Sequence, residues 1–204
     1  MILVHLLLLL VLFLQRLLAL LVHLLLLLNL DTMLLMALPF NFKMALLGVV
    51  FLTTVIFPLF FTWILYRMQI ISSVFMTRKE ERVYPILSIS VFYYMTYFLL
   101  RGIHISTIFS YFMLGATLVS VIALIVNFSR KISLHTLGAG SVTGLFLGLS
   151  LHFGLNLHAE VFMGILLAGI VGFARLKTDS HQPAEIYSGF AVGVAVMTVL
   201  VMLI

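Results

Sequence analysis

The sequence predicts an all-α polytopic membrane protein, a helical bundle of six or seven crossings, and three observations carry that prediction. Of its 204 residues, 64% are hydrophobic and 8% charged. A soluble domain carries about 45–50% apolar and about 25% charged residues. The apolar residues fall in continuous runs near the roughly 20 residues that a helical crossing needs. A barrel would show short alternating strands instead. Finally, the mean hydropathy is +1.32, and the 11 basic and 6 acidic side chains gather in a few short segments. That leaves no room for a sizeable domain outside the bilayer.

The elements follow in order. Residues 1–38 are leucine-rich, interrupted by Gln15-Arg16 and by Asn29-Leu30-Asp31, and predict one long or tilted crossing over 3–28. The start, Met1-Ile2-Leu3-Val4, has no basic stretch, so a cleavable signal peptide is not expected. After Pro39, Asn41 and Lys43 a second crossing covers about 44–66. Pro58 is expected to kink it, and Trp63 and Tyr66 to lie at its interfacial end. The longest polar segment, 67–85, precedes crossings over about 86–100, 107–128 and 133–152. A sixth over 158–173 leads through Ala174–Glu185 to a seventh over 186–204. The chain thus reads as a first segment with its loop, 1–43, and a core, 44–204.

Counting crossings places the segments 78–85, 130–140 and 174–185 on one side of the membrane. With Arg67 they hold Arg78, Lys79, Arg82, Arg130, Lys131, Arg175 and Lys177, eight of eleven basic residues. Two explanations fit: the positive-inside rule, which makes that side cytoplasmic, or an anion site. With so few charges, a net +5 speaks of topology and anionic ligands, and no nucleic-acid partner is expected. The absence of cysteine excludes disulfides, thiolate metal sites and a cysteine nucleophile.

Chemistry gathers on the basic side. His181 and Glu185 are four residues apart, so on one helix face imidazole and carboxylate would touch. A carboxylate on one ring nitrogen fixes the tautomer and leaves the other nitrogen a lone pair for use as nucleophile or base. Pro183 suits the first turn of such a helix. In Lys131-Ile132-Ser133-Leu134-His135, a hydroxyl and an imidazole stand at a helix start whose amides favour anions. His135 there is a candidate general acid. Arg78-Lys79-Glu80-Glu81-Arg82 adds guanidinium groups able to clamp phosphate, with Glu80 and Glu81 as ion-pair partners.

These residues resemble the type 2 phosphatidic acid phosphatases, a family that shares its phosphate pocket with vanadium haloperoxidases. Its third motif, Ser-Arg, five residues, His, three residues, Asp, is matched by Ala174-Arg175, His181 and Glu185. Its second, Pro-Ser-Gly-His, survives as Ser133-Leu134-His135. Its first, a Lys followed later by Arg-Pro, is looser in Arg78–Pro85. The resemblance, over about 67–195, implies a bacterial cytoplasmic-membrane lipid phosphatase with a phosphatase-like helical core and no metal or cofactor. It implies His181 as the nucleophile forming a phosphohistidine, Glu185 as its orienting carboxylate and His135 as the acid on the leaving oxygen. Arg175, Ser133 and Arg82 with Arg78 or Lys79 would bind phosphate on a membrane lipid. The departures are Ala174 for serine, Ile132 for proline, Leu134 for glycine, Tyr84 for the arginine of Arg-Pro, and Glu185 for aspartate. They leave two alternatives open: an active phosphatase, or a non-catalytic member acting as a lipid-binding or scaffold subunit of a larger membrane complex.

The remaining histidines carry no site. His5 and His23 lie in the leucine tract, and His104, His152 and His158 fall toward the opposite face. Gly140, Gly144 and Gly148 form a small-residue stripe read as helix packing.

Overall fold

The computed structural model describes residues 40–72, 80–102, 107–178 and 181–203, and among these there is helix and no strand. Six helices are long and apolar enough to cross a membrane. They are α1 (Phe40–Arg67), α2 (Val83–Arg101), α3 (Thr107–Ser129), α4 (Leu134–Phe153), α5 (His158–Lys177) and α6 (Pro183–Met202). The helical membrane bundle expected from the sequence is therefore present. The crossing expected over 3–28, with His5 and His23, lies outside the described residues, as do Arg78, Lys79 and His104.

The described helices form two compact units, α1–α3 up to Arg130 and α4–α6 from Lys131. In the first, α1 handles Pro58 with a change of helix type. Proline lacks an amide donor, and its ring crowds the carbonyl four residues back, here Thr54. The chain widens into a π-helical turn over Leu52–Ile56 directly before it, a recognised way to relieve such a defect. The hydroxyls of Thr53 and Thr54 donate to the carbonyls of Val49 and Val50 at 2.9 and 2.7 Å. Thr96 of α2 then donates to Thr53 Oγ1 at 2.8 Å, with both residues buried. Interhelical hydrogen bonds of this kind average about 0.6 kcal/mol in membranes. A Thr53→Val, Thr96→Val double-mutant cycle, read by unfolding in detergent, is expected to give a coupling of about that size.

In the second unit α4 lies between α5 and α6 and is the buried helix of the three: 72% of its membrane-length stretch is buried, against 22% and 28%. The glycine stripe explains how. A Cβ on Gly140 would collide with the backbone of Phe190, and one on Gly144 would lie 2.8 Å from Val194 Cα. From the other side, a Cβ on Gly189 would lie 2.8 Å from the Ser133 carbonyl oxygen, and one on Gly193 would meet Leu137 and Gly140. Lipid tails are as apolar as leucine, so such association rests on close backbone approach and not on hydrophobic transfer.

Helix α5 uses the same device with a clear division of faces. Gly164, Ala168, Gly172 and Arg175 are buried, and a Cβ on Gly164 would meet the Thr143 hydroxyl of α4. Phe162, Leu166, Ile170 and Phe173 are exposed, the lipid-facing side of the same helix. Sequence hydropathy ends this crossing at 173, but the helix runs one turn further to Lys177. That extra turn carries Arg175 inward, in register with the small residues.

Candidate functional site

Three helix ends meet at one end of the α4–α6 unit: the starts of α4 and α6 and the finish of α5. Ser133 is the N-cap of α4, in extended conformation, with its hydroxyl accepting from the Thr136 amide. Its own amide donates to the Glu185 carbonyl at 3.2 Å, and the Thr136 hydroxyl donates to the Ile186 carbonyl at 3.0 Å. These two bonds fasten the first turn of α4 to the first turn of α6. A Cβ on Gly172 of α5 would lie 3.0 Å from Ile186 Cγ2, which brings the end of α5 against the same junction.

His181 and Glu185 form the contact that their spacing predicts, with Nδ1 2.6 Å from Oε2. The route differs from two residues on one helical face. Gln182 precedes Pro183, and the residue before a proline is driven toward extended backbone; it has φ −82 and ψ 156 and is the N-cap of α6. His181 therefore stands just outside the helix. Glu185 reaches back in a capping box, accepting from the Gln182 amide at 3.3 Å as well as meeting His181. The carboxylate thus orients the imidazole and caps α6 together. The His181 side chain is 5% exposed and that of Glu185 19%. A carboxylate on Nδ1 leaves the lone pair on Nε2.

Arg175 and His135 form the second pair, 40 residues apart in sequence and both buried. Nη2 of Arg175 lies 2.7 Å from Nδ1 and 2.5 Å from Nε2 of His135. A guanidinium only donates and the two ring lone pairs diverge, so an Nη2 this close to both nitrogens packs against the imidazole and selects neither tautomer. An inward-facing arginine in a membrane span is costly to keep and is a functional-site signal by default.

The structure thus forms two pairs, His181 with Glu185 and His135 with Arg175, and the Ser133 amide bond to the Glu185 carbonyl joins the helix starts that carry His135 and Glu185. Ser133 is fully buried and its hydroxyl is engaged in capping. Arg82 is the half-buried residue preceding α2 and belongs to the α1–α3 unit, while Arg78 and Lys79 lie outside the described residues. No group of three or more His, Cys, Asp or Glu suited to a metal ion occurs among the described residues. Sequence reasoning missed Thr136, whose hydroxyl ties α4 to α6. It also missed Gln182 as a cap, although Pro183 at the first helical position with Glu185 two residues later signals one. The chain matches no protein-family model, and no curated protein or solved structure matches it.

Proposed function

We propose that the protein is an integral-membrane lipid phosphatase, hydrolysing a phosphomonoester or diphosphate of a lipid in the bacterial cytoplasmic membrane through a phosphohistidine. The pairing of His181 with Glu185 at 2.6 Å carries this reading, because it supplies a nitrogen lone pair of fixed tautomer at the helix junction whose other members carry His135 and Arg175. In the reaction His181 Nε2 attacks phosphorus in line, forming the N–P bond as the bond to the lipid oxygen breaks. Arg175 turns its donors from His135 to the equatorial oxygens and balances their charge. Once Arg175 has turned away, His135 takes up a proton from solvent, gives it to the leaving oxygen and then takes one from the water that cleaves the N–P bond. Helix ends at the membrane boundary suit a substrate whose phosphate sits at headgroup depth.

A second reading is a non-catalytic lipid-binding or scaffold subunit of a larger membrane complex. The direct contact of Arg175 with His135 favours it, since each occupies the group with which the other would handle substrate. Phosphate release in detergent from phosphatidic acid, phosphatidylglycerol phosphate, polyprenyl diphosphate and lipid A separates the two. Turnover of at least one of these is expected in the presence of chelator, at a kcat on the order of 1–10³ s⁻¹. Silence across the panel would establish the non-catalytic reading.

A further inference from the structure

We propose that the turn closing α1 is a binding site for the phosphate-bearing headgroup of an anionic membrane phospholipid, held by Arg67 and Gln69. The turn is a Schellman motif: the Ile70 amide donates to the Leu65 carbonyl at 3.0 Å and the Gln69 amide to the Tyr66 carbonyl at 3.1 Å. The residue just past the cap in this motif is left-handed, and glycine is its usual occupant. Here it is Gln69, at φ 59, the one non-glycine residue with positive φ among the described residues. That conformation is disfavoured for an L side chain, so the cap carries a backbone strain that glycine would not. Such outliers cluster at ligand clamps.

The cavity it lines gives a reason. Tyr66, Arg67, Gln69, Ile71 and Ser72 line an open recess of about 480 Å³, with Arg67, Gln69 and Ser72 exposed along it. Ile71 is 1% exposed and anchors the floor. The Ser72 hydroxyl donates to Glu81 Oε2 at 3.0 Å, and among the lining residues the side-chain N–H donors offered to an anion are those of Arg67 and Gln69. A guanidinium beside an amide suits phosphate oxygens. Depth selects the source of the phosphate: the apolar span ends at Arg67, and Trp63 and Tyr66 on its last turns are 53% and 44% exposed, as in an interfacial aromatic belt. The site uses none of the histidines and goes beyond the proposed hydrolysis.

Trp63 is the single tryptophan of the chain and reports on lipid beside this turn. The full-length protein is placed in vesicles of phosphatidylcholine and phosphatidylglycerol, with bromine on the acyl chains of one lipid at a time. Brominated phosphatidylglycerol is expected to quench Trp63 as though enriched about fivefold over phosphatidylcholine, the effect of one basic residue at an anionic surface. Arg67→Gln should remove the enrichment. Gln69→Gly should lower it while thermal unfolding stays unchanged or rises, which separates loss of binding from loss of fold. No enrichment in the wild type, or enrichment that survives both substitutions, overturns the proposal. Displacement by millimolar inorganic phosphate assigns the site to free phosphate and overturns the lipid. Enrichment that disappears in His181→Ala assigns it to the other site and overturns this one, whereas its persistence there keeps the two proposals apart.

Discussion

His181→Ala is expected to lower phosphate release from the lipid substrate by on the order of 10³–10⁶-fold, the loss that follows removal of a catalytic nucleophile. The leaving group tells this role apart from that of His135. In His135→Ala an alkoxide must depart without a proton, so hydrolysis of the lipid phosphate should fall by about 10²–10⁴-fold. With p-nitrophenyl phosphate, whose leaving group needs no proton, that penalty should shrink to near nothing, while the His181→Ala penalty stays. Glu185→Gln adds a third arm. Its amide oxygen can still accept from the Gln182 amide, so the cap of α6 is kept. The same oxygen meets His181 Nδ1, so the substitution keeps the contact as well and removes only the negative charge that makes the imidazole a stronger nucleophile. A fall of about 10²–10⁴-fold with unchanged thermal unfolding is expected. Equal penalties for His181→Ala and His135→Ala on both substrates would count against separate roles and hence against the proposed chemistry.

How far the sequence foretold this geometry depends on the range of each interaction. The His181–Glu185 contact is local, and its i, i+4 spacing suffices to foresee it, although the capping box that makes it does not follow from spacing. The Arg175–His135 contact spans 40 residues and depends on the register between α4 and α5. That register comes from Gly164 seating against Thr143 of α4 while Gly172 seats against Ile186 of α6, an inward stripe that hydropathy hides because the large apolar residues of α5 are on its exposed side. Hydropathy also closes α5 too early: a charged side chain stops an apolar window, but an inward arginine does not stop a helix. The π turn ahead of Pro58 escaped for another reason. Proline announces a defect in the helix but not its form, and the π turn over Leu52–Ile56 leaves no trace in the sequence pattern.

The same packing that hides the register makes the largest structural prediction. Gly193 of α6 faces the Leu137 carbonyl, with the Ser141 amide 2.7 Å and the Gly140 carbonyl carbon 3.0 Å from where a Cβ would stand. These are backbone atoms of a helix, so no side chain can swing aside. Gly193→Val must drive α6 away from α4 and is expected to cost about 3 kcal/mol, the upper end of overpacking penalties. Gly169 of α5 is the control: it is exposed, and a Cβ there meets nothing within 4 Å. Gly169→Ala should leave stability unchanged or raise it by up to about 1 kcal/mol through helix propensity. Unfolding in detergent reads both signs, and a Gly193→Val protein as stable as the wild type would refute the close approach of α4 and α6. The consequence reaches the site, because one helix pair sets both. The Ser133 amide bonds the Glu185 carbonyl four residues before Gly189, itself 2.8 Å (as a Cβ) from the Ser133 oxygen. Separating the helices at Gly193 therefore loosens the junction between the start of α4, which carries His135, and the start of α6, which carries Glu185. Phosphate release, measured on the fraction that remains folded, should fall with it.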